Sequence, residues 1–193
     1  MKMRNVFIST AAIFTMMAAP AVFALDHYTI DPSHTFVNWQ ISHFGYSSPT
    51  GKWYATGTLD LDKDKPQNSK VNVTIDVASM VTGISKLDDH LRSEEFFDTA
   101  KYPTATFVSD KITLTGKESA NVEGMLTVRG VTKPVTLKVK LNKHDMSPLT
   151  SKMTAGFSAT AEIKRSDFGM KTYLPGLGDN VKLMIEVEAN KAS

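Results

Sequence analysis

Val135-Thr136-Leu137-Lys138-Val139-Lys140-Leu141 places an aliphatic residue at every second position and a lysine or threonine between. Successive strand side chains point to opposite faces, so this heptapeptide has one dry face and one wet face as a strand. Wound as a helix it would scatter the same four aliphatics around the whole circumference. The same period of two recurs along the chain. It is seen in Val37-Trp39-Ile41, in Trp53-Ala55-Gly57-Leu59-Leu61 and in Val71-Val73-Ile75-Val77. It returns in Val122-Gly124-Leu126-Val128, Phe157-Ala159-Ala161-Ile163 and Val181-Leu183-Ile185-Val187, and more weakly over 104–115. Strands with one wet face read as antiparallel. Arg129-Gly130 and the polar runs 62–69, 115–121 and 142–152 fall where hairpin turns would join neighbours, and Pro134 stands near the start of a strand. The fold class is all-β, with eight antiparallel strands in one domain.

One segment departs from the pattern. Over 85–93 the chain reads SKLDDHLRS, with Leu87 and Leu91 on one helical face. Ser85 followed by Asp88 has the spacing of a capping box. A short helix is expected here, followed by Phe96-Phe97 and a Tyr102-Pro103 turn, as an insertion that plugs or lids one end of a barrel. An eight-stranded barrel either fills with side chains or holds one ligand. Small inward residues (Ala55, Gly57, Gly124, Ala159, Ala161) alternate with large ones (Trp39, Trp53, Phe107, Phe157). Taken alone, that pattern leaves a ligand-holding barrel and a packed sandwich equally open.

The N-terminus reads as an export signal. Lys2 and Arg4 precede an apolar run over 6–19, and Pro20 precedes Ala21-Val22-Phe23-Ala24, with small residues where a signal peptidase reads. The run is shorter than the roughly 20 residues of a membrane span. The expectation is a cleaved signal peptide over 1–24, a domain over 25–193 and a periplasmic location. With no cysteine there is no disulfide, no thiol chemistry and no lipoprotein acylation site. Lys2 and Arg4 account for the whole formal charge of +2, so the chain after Ala24 is neutral, which argues against nucleic acid as a partner.

Five ordered blocks then carry a resemblance. They are Tyr28-Thr29-Ile30-Asp31-Pro32-Ser33-His34; Val37-x-Trp39-x-Ile41-x-His43-x-Gly45; Asp89-His90-Leu91-Arg92-Ser93 with Phe96-Phe97-Asp98 and Lys101-Tyr102-Pro103; Gly124-x-Leu126-Thr127-Val128-Arg129-Gly130-Val131-Thr132-Lys133-Pro134-Val135; and Arg165-Ser166-Asp167-Phe168-Gly169. With these the chain resembles the YceI-like, polyisoprenoid-binding periplasmic family from Tyr28 to Ala189. The resemblance implies a lipocalin-like extended eight-stranded antiparallel β-barrel with a helical element. It also implies a polyisoprenoid, isoprenoid quinone or similar long amphiphile as ligand, held for transport or storage. At Leu87 the chain departs from relatives, many of which carry arginine there.

Within such a barrel, Trp39, Ile41, Trp53, Leu91, Phe96, Phe97, Phe107, Leu126, Phe157 and Phe168 are the expected lumen and lid residues. Asp31, His34, His43, Asp89, His90 and Arg92 are candidates for the ligand head group, and Arg165 and Asp167 either join them or pair on the surface. Each methylene moved from water to an apolar wall gains about 0.8 kcal/mol, so ten give about 8 kcal/mol gross, from which ordering costs are subtracted. Transient membrane contact and a homodimer are compatible with this reading.

Other chemistry finds less support. The histidines lack the i, i+4 spacing of a helical zinc motif, so neither a metal nor any cofactor besides the lipid is expected. No Gly-x-Ser-x-Gly elbow occurs, and Ser33-His34 and Asp89-His90 are mere sequence neighbours, so no catalytic residue is assigned and the protein reads as a non-enzyme. The competing functions are an interaction scaffold with a packed core and a lumen enzyme acting on a lipid.

Overall fold

The computed structural model describes residues 25–192; the leader expected at 1–24 lies outside the described residues. The strands are β1 (Asp26–Ile30), β2 (Phe36–His43), β3 (Thr50–Leu61), β4 (Lys70–Val81), β5 (Thr104–Leu114), β6 (Ser119–Val128), β7 (Val131–Met146), β8 (Met153–Lys164) and β9 (Leu177–Lys191). Helix α1 (Ser85–Arg92) follows β4. The strands form one sheet in the order β1-β3-β2-β9-β8-β7-β6-β5-β4, and pairing of β3 with β4 closes β2 to β9 into an eight-stranded antiparallel barrel. Closure removes the exposed edges that an open sheet must protect.

β1 is a ninth strand that the periodicity does not announce, because five residues are too few to set a period. It shares one barrel position with β2. Tyr28 faces Leu59 of β3 while Phe36 faces Tyr54, and on β9 Ile30 faces Ala189 while Phe36 faces Glu186. The segment 31–34 therefore bulges out of a single interrupted strand.

The expected alternation is present with one informative detail. Along β7 the inward residues Val135, Leu137, Val139 and Leu141 are only half-buried, although they face the interior. In a filled sandwich they would be sealed. Residual accessibility on the inner face is what an unfilled lumen produces, and it resolves the choice in favour of a barrel with internal space.

Local chemistry explains the connections. The β6–β7 hairpin turns on Arg129 and Gly130, both at positive φ (51° and 73°), the left-handed pair that matches the twist of the flanking strands. The capping box, however, does not form. The helix N-cap is Ile84, without a side-chain cap, and Asp88 instead accepts from the backbone N–H and hydroxyl of Thr82 (2.8 and 2.6 Å). Those bonds hold down Asp88's carboxyl pKa and fasten α1 to the end of β4.

Gly124 also differs from expectation. A Cβ placed on it would sit 2.6 Å from Phe107 Cζ and inside the envelope of the Val108 carbonyl oxygen. Its missing side chain makes room for a phenylalanine, not for lumen space.

Candidate functional site

The interior holds two adjoining cavities. The first, of about 420 Å³, lies at the end closed by α1 and is walled by Trp39, Ile41, Trp53, Leu87, Leu91, Phe96, Phe97, Met170, Leu177 and Val181. His43, Phe44, Ser47, Pro49, His90, Arg165 and Tyr173 complete its boundary. The second, of about 370 Å³, runs toward the opposite end between Val37, Ala55, Ile75, Phe107, Leu126, Val139, Phe157, Ala159 and Ile185. Both fall in the usual range for small-molecule pockets, about 300–1,000 Å³.

The boundary between them can be followed strand by strand. On β2, Ile41 and Trp39 face the first chamber and Val37 the second; on β3 the change falls between Trp53 and Ala55; on β9 it falls between Val181 and Leu183. The two indoles stand at that boundary with ring centroids 5.8 Å apart, and Phe97 meets Trp53 edge-on at 5.3 Å. An aromatic partition thus divides one apolar lumen.

α1 and the residues after it close the helical end. Leu91 and Phe96 are buried in the cluster that contains both tryptophans, and Leu87 and Phe97 pack against it. Leu87 is an apolar wall residue of the first chamber. Polar ties hold the lid at its margins. Arg92 donates to the carbonyls of Ala78 (3.0 Å) and Met80 (2.9 Å), and Thr172 Oγ1 donates to Glu95 O (3.0 Å). With the Asp88–Thr82 bonds these ties fasten the margins, and aromatic contacts hold the inner face of the lid. Phe96→Ala combined with Phe97→Ala is expected to speed lipid transfer to acceptor vesicles by more than it weakens equilibrium binding. Unchanged transfer rates would make the segment a fixed plug.

Among the expected lumen and lid residues, Phe168 alone borders neither chamber. It packs in the core with Val77, Phe107, Val128 and Met170, because its short 3-10 turn folds it beneath the loop.

The candidate head-group residues separate. His43 and His90 border the first chamber, with His90 Nε2 bonded to Glu95 (2.8 Å) and its ring edge-on to Phe96. Asp31 and His34 lie in the outward bulge, away from both chambers. His34 Nδ1 meets Asp31 Oδ2 at 2.9 Å, which draws the carboxyl pKa down and the imidazole pKa up. Together with Glu188 they bring three ligand-type atoms within 4.8 Å of one another. Asp89 is a solvent partner of Arg92 (3.2 Å), and Arg92 serves the lid rather than the lumen. Asp167 is exposed, and Arg165 bonds to backbone carbonyls instead.

Arg165 is buried and spends its donors on backbone carbonyls: Nε on Gly178 (2.7 Å), Nη1 on Met170 (2.9 Å), and Nη2 on Thr172 and Leu177 (both 2.9 Å). Burial pulls its pKa down and the nearby Asp179 carboxylate opposes that pull. The guanidinium therefore shapes the wall of the first chamber and leaves little for a ligand.

At the far end of the second chamber the sequence reading missed a group. His144 borders the cavity with Lys63, Lys117 and Glu118, and its Nε2 is hydrogen-bonded to the Tyr28 hydroxyl at 2.7 Å. Burial lowers the imidazole pKa and raises that of the phenol, both of which favour this neutral pair.

The chain matches the YceI-like domain family over residues 28–189. It is 44% identical over 176 residues to Protein YceI of Escherichia coli O157:H7, covering 90% of this chain and 91% of that one. The crystal structure of Burkholderia cenocepacia BcnA superposes with a TM-score of 0.74 at 26% identity, covering 82% of this chain and 98% of BcnA. A polyisoprenoid-binding domain from Saccharophagus degradans superposes with a TM-score of 0.66 at 16% identity, covering 87% and 99%, a likeness of fold.

Proposed function

The chain belongs to the YceI-like family, and from that premise we propose that it holds one long-chain amphiphile, of the polyisoprenoid or isoprenoid-quinone class, along the barrel lumen. The observation that carries this reading is the pair of apolar chambers set end to end inside a closed barrel. A structural neighbour described as a polyisoprenoid-binding domain supports the ligand class. Exported through its leader, the protein acts in the periplasm as a carrier or store. The inner wall offers aliphatic and aromatic surface for a chain and few polar groups, which suits retention of a lipid better than catalysis on it.

Titration of the delipidated protein with prenyl quinones that share a head and differ in chain length tests the reading. Each added methylene equivalent that enters the lumen contributes about 0.8 kcal/mol gross, so affinity rises steeply with length and levels off once the chambers are filled. An affinity independent of chain length would place binding outside the lumen.

A further inference from the structure

The chain has two tryptophans, Trp39 and Trp53, and both stand in the partition. Both are more than nine-tenths buried, and both indole Nε1 atoms are shielded without a hydrogen-bond partner among the described residues. Buried N–H groups are almost always paired, because an unpaired donor forfeits its bond to water without replacement. Two orphaned donors side by side, on rings 5.8 Å apart, call for a common physical account.

Two of the first chamber's other polar groups are already engaged, while His43, Ser47 and Tyr173 are exposed to solvent. Arg165 serves four carbonyls, and His90 is bonded to Glu95. The wall thus presents two neutral indole donors, while Arg165 keeps its charge near Asp179 and its N–H groups on carbonyls. That set suits an uncharged oxygen acceptor and disfavours a phosphate or carboxylate, which would give up its hydration for neutral donors in an apolar chamber. Trp39 has little room to retreat on one side. Its ring lies over Gly51, where a Cβ would come 2.7 Å from Nε1. Both rings border the first chamber, so a ligand spanning both chambers meets them.

We propose that Trp39 and Trp53 form a ligand-parted gate whose indole N–H groups donate to a neutral carbonyl-type oxygen on the ligand's head, selecting carbonyl-bearing amphiphiles over hydrocarbons and anionic lipids of equal chain length. This rests on the lipid-holding reading and adds to it the chemistry of the head. In the closed barrel the two donors are unsatisfied; a head-group carbonyl satisfies them, so the acceptor is rewarded beyond the apolar burial of its chain.

The experiment uses the delipidated protein, labelled with ¹⁵N, and three decyl probes: 2,3-dimethoxy-5-methyl-6-decyl-1,4-benzoquinone, decylbenzene and decyl phosphate. Because there are two tryptophans, two indole N–H resonances report on the gate alone. The quinone is expected to bind about tenfold or more tightly than decylbenzene and to move both resonances downfield, as new hydrogen bonds do. In Trp39→Phe/Trp53→Phe, which keeps aromatic bulk and removes both donors, the two affinities are expected to converge while the denaturant midpoint holds or rises. A quinone preference that survives in the double variant overturns the proposal, as does equal binding of quinone and decylbenzene by the unaltered protein. Decyl phosphate moving the indole resonances as far as the quinone would overturn the neutral-acceptor assignment. Failure of all three probes to bind would instead remove the lipid-holding reading, and the gate with it.

Discussion

Ala159→Phe is expected to abolish retention of a long lipid while leaving the lipid-free barrel close to its original stability. Ala159 lies on β8 opposite Val139 and Ile185, and its side chain borders the second chamber. A phenyl ring there enters space that a cavity of about 370 Å³ already provides, so it displaces ligand rather than protein. Enlarging a residue in a filled core costs about 1–3 kcal/mol instead. Gly124→Ala supplies the contrast, because its new methyl collides with Phe107 and the Val108 carbonyl and carries that packing cost. The two variants are compared by urea midpoint and by extracted lipid. Ala159→Phe with lost stability and retained lipid would show a packed core and remove the tunnel.

Arg165→Met should be the most destabilising single change. The substitution keeps an unbranched apolar stem and deletes the donors that satisfy four carbonyls between residues 170 and 178. Hydrogen bonds from a charged donor are each worth about 1.5–3 kcal/mol and do not add fully, so a loss of about 3–5 kcal/mol is expected. For a chain of this size that corresponds to a Tm lowered by roughly 10 °C. Arg165→Lys should recover only part, since an ammonium cannot reach the same fork of acceptors. The loop so released carries Met170, Tyr173 and Leu177 of the first chamber, so lipid affinity falls with stability. A loss below about 1 kcal/mol would mean that the carbonyls find other donors.

The residues that were legible in the sequence are those whose role follows from strand parity. Trp39, Trp53, Leu126 and Ala159 face inward because their neighbours two positions away do. Parity fails wherever a strand is interrupted. Between Leu141 and Lys143 the β7–β8 register shifts by one residue, and that bulge turns His144 inward to meet Tyr28. The outward bulge at 31–34 has the opposite effect and carries Asp31 and His34 away from the lumen. Arg165 was ambiguous for a different reason. Its partners are backbone carbonyls up to 13 residues away, and a carbonyl leaves no mark in a sequence. Phe168 was misplaced because nothing in its neighbours shows which way a 3-10 turn will fold.

The central claim is that one amphiphile occupies the lumen of the exported protein. It is tested most directly by organic extraction and mass spectrometry of protein recovered from the periplasmic fraction, with its N-terminus sequenced from the same sample. The account predicts a chain beginning at Leu25 that carries close to one long-chain prenyl lipid per barrel, most of it lost in Ala159→Phe. Protein that retains Met1 in the membrane fraction would contradict the export reading, and exported protein devoid of lipid and unable to take it up would contradict the claim itself.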